Sequence, residues 1–470
     1  MKLNFPTHNN LDLGIIESIS KAKSENKSVL FSYTFKFEAR DLLPLLSHPA
    51  DRKNYRIYWE QPDESFSLAG LGKVLELNID SNHSLHQLNN EINNHFKTAV
   101  HVSCTPLAGP RFLGGHSFDF NSQSDLSWNG IPKASFILPE CLATLNKVGC
   151  WLTISRMVTK NDTHKLLVRE FNKNCTHYEK RLPVTLPPFC HVPVNTYKDI
   201  PSRDEYDKMI YSVLEEIKPE KLEKVVISRS HQVKIGKEFS VVSSIQILRN
   251  MYPKCTNFFF SFPEVGVFFG ATPERLIQKN NQSIKTEALA GTIERGRNME
   301  EDRLLAETLF NSHKEREEHQ FVVDDIKVLL EKKVSSLDIP NQPNIFKLKN
   351  VQHLKTSITG KIKNNQNILD LVKLLHPTPA VAGTPINKAM KVIRKLEPHC
   401  RGWYAGPIGW IDSAGNGDFF VALRSALVKD EEAHIFVGGG IVSESLPEKE
   451  WHETELKLQP IISALSGGQI

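Results

Sequence analysis

The chain has no C-x-x-C pair, no apolar run long enough to cross a bilayer and no block of basic residues. Its seven cysteines (Cys104, Cys141, Cys150, Cys175, Cys190, Cys255 and Cys400) are scattered through 470 residues. An odd, dispersed set offers neither a zinc-ligand spacing nor a disulfide framework, so reduced thiols are expected. The absence of 18 consecutive apolar residues excludes a membrane-spanning helix. The first ten residues, MKLNFPTHNN, lack both the apolar core of a signal peptide and the Arg/Ser-rich character of a transit peptide. A soluble cytoplasmic protein is therefore expected. Net charge is only +4, and no basic stretch is interleaved with aromatics, so no nucleic-acid surface is expected. There is no repeat of fixed period and no low-complexity tract. Gly114-Gly115 is not followed by a helix carrying Lys-Ser/Thr, so it reads as a tight turn and not as a phosphate loop.

What is present is a long chain, 40% hydrophobic and 24% charged, enough for a large core and, by length alone, for two or three domains. Residues 12–26 read as an amphipathic helix with Leu13, Ile16, Ile19 and Ala22 toward one face. Short strands follow at 29–34, 55–59 and 66–70, then a helix at 85–96, and strands again through 134–170. No catalytic constellation stands out before residue 200. The stretch 181–203 holds five prolines and reads as a connection. It separates an N-terminal α/β half (1–200) from a second half (205–470) in which the chemistry concentrates.

Glu450, Glu453 and Lys457 share one face if 448–464 is helical. Two carboxylates on one face repel each other unless a cation lies between them, and Mg²⁺ is a hard ion that takes oxygen ligands and leaves positions open for a substrate. A lone E-x-x-E is ordinarily a solvated face. A second pair, Glu315 and Glu318, lies in another helical stretch with Phe321, Val322, Ile326 and Leu329 on its apolar side. The two helices could clamp one Mg²⁺. Gly438, Gly439 and Gly440 follow Ile435-Phe436-Val437 and read as a strand ending in a turn that approaches a ligand. Lys224 opens the apolar strand 224–229; it either reaches water or serves as a partly buried base. Glu274 follows Pro273 at a strand end, as a helix-capping carboxylate or as a positioned acid. Arg424 sits on an apolar strand and needs an anionic partner there. His353 lies on another strand; alone it reads as a structural residue.

Taken together, KVVISR, ATPERL, TEALAGTIERG, KEREEHQFVVD, HLKT, LHPTPAVAG, RGWYAGPIGW, FFVALRSAL and GGGIVSESLPEKEWHETELKL resemble, in content and order, the chorismate-utilising enzymes. That family includes isochorismate, anthranilate, aminodeoxychorismate and salicylate synthases. The N-terminal KAKSENKSVLFSY and RFLGGHSFDF segments resemble isochorismate synthases of bacterial menaquinone synthesis. Within the family, Lys224 is the residue of the isochorismate and salicylate synthases, where anthranilate synthases carry glutamine. Ala290 stands where aminodeoxychorismate synthases carry a nucleophilic lysine.

The resemblance implies an α+β fold: antiparallel sheets stacked around a cleft with helices outside, and the N-terminal half packed into the same body. It implies isomerisation of chorismate to isochorismate. Lys224 would act as general base toward water at C2, and Glu274 as general acid toward the C4 hydroxyl. Mg²⁺ would be held by Glu318 and Glu453, with Glu315 and Glu450 assisting. Arg424, Lys457 and the Gly438 and Gly439 amides would bind carboxylates. Thr292, His353 and Tyr404 would line the site. No amidotransferase subunit is expected, and the chain is expected to be a monomer. The alternatives are a salicylate synthase, which also eliminates pyruvate, a siderophore-pathway isochorismate synthase, and a chorismate-binding module without catalysis.

Overall fold

The computed structural model describes residues 8–468 apart from 49–50, 52, 80–84, 123–124, 182–185, 187–193, 218–221, 238 and 364–365. Among them, strands form one sheet of thirteen and one of ten, with helices around them. Every pairing is antiparallel except that of Val29–Phe37 with Val100–Ser103. Both sheets run through the boundary between the two halves. In the larger sheet Thr256–Phe262 pairs with Arg56–Gln61, and in the smaller Pro407–Asp412 pairs with Arg111–His116. No helix among the described residues is long and apolar enough to cross a membrane, and the six described cysteines are free.

The run Asn257-Phe258-Phe259-Phe260-Ser261-Phe262 shows why the larger sheet forms. A strand with one wet face alternates apolar and polar residues, whereas a strand covered on both faces is apolar throughout. Phe258 and Phe260 belong to the core between the two sheets. Phe259 points the other way, into a second core under the helices His8–Glu25, His164–Lys180, Val241–Met251 and Pro447–Leu465. Phe268 and Phe269, on the partner strand, divide in the same manner.

Several local expectations need correcting. The first helix buries Leu11, Ile15, Ile19 and Ala22 and leaves Leu13 and Ile16 outside; apolar residues stand on two of its faces, and spacing could not choose between them. Residues 164–170 are not strand, because His164–Lys180 is a helix. Gly114 and Gly115 lie inside the strand Arg111–His116, where a methyl group on Gly114 would sit 1.9 Å from the Ser135 carbonyl oxygen. Phe321 is exposed while Val322 and Ile326 are buried. Residues 182–185 and 187–193 of the proline-rich 181–203 stretch lie outside the described residues; Val194–Ile200, near its end, is a strand paired to Lys224–Ile235.

Candidate active site

Two places where the chain leaves one sheet for the other build the centre of the site. The first is Pro273-Glu274, between Gly266–Thr272 of the larger sheet and Arg275–Asn280 of the smaller. The second is Ala422–Arg424, between Gly417–Val421 of the smaller and Ser425–Lys429 of the larger. The crossings lie side by side. The Val421 amide donates to the Glu274 carbonyl at 3.0 Å and the Ala271 amide to the Arg424 carbonyl at 3.1 Å. Thr272 Oγ1 donates to the Val421 carbonyl at 2.5 Å. Glu274 and Arg424 are thereby fixed by backbone and not by side-chain packing alone. Arg424 is not on a strand, as expected, but in the break, with a left-handed φ of 47°. Non-glycine residues rarely adopt that conformation, and it recurs at functional sites.

Both side chains open into a chamber of about 130 Å³ together with Lys224, Thr292, Glu318, His353, Tyr404, Gly438, Gly440, Glu453 and Lys457. Burial pushes the Glu274 carboxyl up to about 7, against the opposing pull of Lys224. Its one hydrogen-bonding side-chain partner among the described residues is the Thr378 hydroxyl, at 3.5 Å. Burial, then Arg424, holds His353 well below the usual imidazole range. The neutral ring has one donor and one acceptor. Arg424 Nη2 can only donate, and it lies 3.0 Å from Nε2. The proton is therefore on Nδ1, which faces Thr292 Oγ1 at 3.1 Å and the Gly291 carbonyl at 3.3 Å. Arg424 Nη1 is buried without a protein partner. Arg424 as a residue lines the chamber, and a guanidinium there is suited to an anion.

Lys224, at the start of its strand, pairs with Glu318 at 2.5 Å. Burial raises the Glu318 carboxyl, but Lys224, with Lys314 and Lys457, outweighs it and the net shift is downward. Lys457 pairs with Glu453 at 2.6 Å and donates to the Gly438 carbonyl at 3.1 Å. The outer carboxylates stand further back. Glu315 accepts from the Thr292 amide at 3.2 Å, and burial, then Glu318, raises its carboxyl. Glu450 accepts from Ser445 Oγ at 2.7 Å, and burial, then Glu453, pushes it up to about 7. Neither lines the chamber.

The glycines 438–440 do not form a turn. They lie within the strand Glu432–Ile441, opposite Ser228, Ile227 and Val226. In an antiparallel ladder, neighbouring residues direct their amides to opposite edges. The Gly438 carbonyl faces Lys457, so Gly438 and Gly440 present their amides to the open edge. Gly439 turns its own toward Ile227 and is not in the chamber wall, so its expected contact to a ligand is not available. Gly440 is glycine because a methyl group there would sit 2.6 Å from Lys224 Cε. Gly440→Ala is expected to displace the lysine stem and lower kcat by about 10²-fold with an unchanged circular dichroism spectrum, as steady-state kinetics on the folded variant would show.

Whether these residues suit a hard divalent ion is a question of donors and charge. The four carboxylates supply hard oxygen ligands, and Glu315 and Glu450 are raised by burial and then by repulsion from Glu318 and Glu453. That excess of negative charge is what a cation relieves. Among the described residues, no three acidic, His or Cys side chains converge on one point, because Lys224 and Lys457 each hold one carboxylate of the inner pair. The donor chemistry fits, and two ammonium groups stand where an ion's charge would.

Arg401 also lines the chamber and was not singled out from the sequence. It donates to the Val381 and Val226 carbonyls at 2.8 and 2.7 Å and pairs with Glu397, tying the 380–381 wall to the Lys224 strand. The motif RGWYAGPIGW contained it, but nothing in the local sequence told this arginine from a surface one.

A model of the chorismate binding enzyme family matches residues 17–466. The chain is 33% identical over 464 residues to isochorismate synthase MenF of Bacillus subtilis, covering 96% of this chain and 97% of that one. It is 32% identical over 449 residues to the salicylate biosynthesis isochorismate synthase of Pseudomonas aeruginosa, covering 96% and 93%. Its fold resembles that of MenF, the menaquinone-specific isochorismate synthase from Escherichia coli, with a TM-score of 0.77 at 23% identity, covering 96% and 100%.

Proposed function

We propose, for a chain that belongs to the chorismate-binding enzyme family, that it is an isochorismate synthase. The observation that carries this is the pairing of an amine and a protonated acid in one chamber with an unsatisfied guanidinium. Lys224, Glu274 and Arg424 share a wall, and Arg424 Nη1 has no protein partner. Arg424 and Lys457 take the carboxylates of chorismate, with the Gly438 amide on the open strand edge. Lys224, in its neutral amine form, removes a proton from water as the water's oxygen bonds to C2. The ring double bonds shift, the C4–O bond breaks, and Glu274 gives its proton to the departing hydroxyl. Hydroxide leaves poorly, and a carboxyl held near 7 keeps that proton at working pH. Water is consumed at C2 and released from C4, so the reaction is an isomerisation. His353 and Thr292 keep Arg424 oriented.

We propose Mg²⁺ as cofactor, held by Glu318 and Glu453 with Glu315 and Glu450 behind them. When bound, it would neutralise a substrate carboxylate and draw Glu318 from Lys224. Chelation should therefore reduce turnover to background, and added MgCl₂ should restore it in a coupled assay. We further propose a cytoplasmic monomer without an amidotransferase subunit, feeding menaquinone synthesis. The N-terminal KAKSENKSVLFSY and RFLGGHSFDF segments support that pathway.

The deciding experiment is incubation of the purified protein with chorismate and Mg²⁺, followed by proton NMR of the products. Isochorismate alone is the expected result. Salicylate with pyruvate would make the protein a salicylate synthase, and binding without product would make it a non-catalytic module.

A further inference from the structure

A second cavity, of about 1050 Å³, adjoins the chamber. Its walls come from the helix Arg203–Ile217, through Tyr211 and Leu214, and from the helix His313–Glu331, through Lys314, Glu317 and Phe321. Lys224 and Glu318 belong to both linings, so their ion pair is the partition between the two spaces. The inner walls are otherwise closed: Glu274, His353, Tyr404 and Arg424 are all buried. The chamber's acidic and basic side chains most open to solvent are Glu453, Lys457 and Glu318, at 36%, 23% and 21% exposure. Access is therefore from the carboxylate side.

That route is electrostatically wrong for a dianion. It runs past Glu318, with Glu453 in the chamber behind, and the outer cavity adds Glu215, Glu223, Glu317 and Glu444. Lys314 is the only lysine or arginine in the outer wall besides Lys224. It lies four residues before Glu318 on one helix, and so on the same face. It is exposed, and its charge reaches Glu315, Glu318 and Glu450, helping to lower Glu318 and opposing the rise of the other two.

We infer that the outer cavity is the entrance for the chorismate dianion and that Lys314 is its entry residue, offsetting the carboxylates that guard the Lys224–Glu318 partition. This rests on the functional reading above. It has two consequences of opposite sign. A positive charge at the mouth attracts the anionic substrate and repels the divalent cation. Lys314→Glu should therefore slow one and strengthen the other.

The test measures both on the full-length protein. In Lys314→Glu, kcat/KM for chorismate at saturating Mg²⁺ should fall about tenfold at 20 mM ionic strength and less than about threefold at 500 mM, since salt screens exposed charge. kcat should stay within about twofold. Calorimetric titration of MgCl₂ into the variant, without substrate, should show binding several-fold tighter than in wild type. Lys314→Gln should fall between the two in both measurements. A misfolded variant would weaken both. Loss of kcat/KM that does not respond to salt, an unchanged kcat/KM, or weaker Mg²⁺ binding would each overturn the proposal. If the wild type turned over no chorismate, the functional reading itself would fail, and the metal titration would still report the charge at position 314.

Discussion

Glu274→Gln is expected to lower kcat by about 10²–10⁴-fold, the usual contribution of a positioned general acid, and to make the protein more stable at high pH. Gln keeps the size of the side chain and one hydrogen-bonding oxygen but has no proton to give the C4 hydroxyl. Substrate binding, carried by Arg424 and Lys457, should be nearly unchanged in equilibrium titrations with chorismate. Burial has raised the Glu274 carboxyl from 4.5 to about 7, so the fold prefers its protonated form. The stability this gives is fully present below the unfolded value of 4.5 and is lost as pH rises through about 7. Above that the wild type holds a buried carboxylate at a cost of about 3 kcal/mol, which the amide does not incur. Calorimetry should find the variant melting higher than wild type at pH 9, with the difference gone at pH 4.5. In the wild type, the same group should make kcat/KM decline as pH rises past about 7. A variant with near-normal kcat, or a stability difference independent of pH, would remove Glu274 from the role of acid.

Lys224→Ala should have a comparable effect on turnover, about 10²–10⁴-fold in kcat, and the opposite effect on the fold. Its partner Glu318 is held below the usual carboxylate range by Lys224. That pairing contributes stability above the unfolded carboxylate value, which is lost as pH falls through the lowered one. Removing the ammonium leaves a partly buried carboxylate unpaired at neutral pH. Thermal melting at pH 7 should therefore drop in Lys224→Ala, where Glu274→Gln stays level or rises. MgCl₂ should raise the variant's melting temperature, since the freed Glu318 becomes available to a cation. Chorismate affinity should be retained. Normal turnover would show that the water is activated elsewhere.

The residue types of the site were legible in the sequence because they stand in short ordered motifs, each with a chemistry of its own: an amine opening an apolar strand, an acid after proline, paired carboxylates on two helices. The three consecutive phenylalanines 258–260 suit a strand covered on both faces, and the strand Thr256–Phe262 carries them. Other assignments failed where composition and context point in different directions. Glycine is a weak strand former, so 438–440 read as a turn; only glycine fits at 440 because Lys224 Cε, 216 residues earlier in the chain, would lie 2.6 Å from a methyl group there. The first helix carries apolar residues on two faces, and only the neighbouring sheet selects Leu11 and Ile15 over Leu13 and Ile16.

The sequence by itself determined which ionisable groups the chain would bring to a chemical step, because side-chain identity needs no partner to be read. The tertiary structure decided which of them meet and in what state of charge. Glu274 and Arg424 became neighbours only because two chain crossings between sheets lie side by side. Glu274 is raised and Glu318 lowered, although both are glutamates, because one is enclosed without an ion-pair partner and the other touches Lys224. Burial and proximity are properties of the packed chain, and no local pattern of residues encodes them.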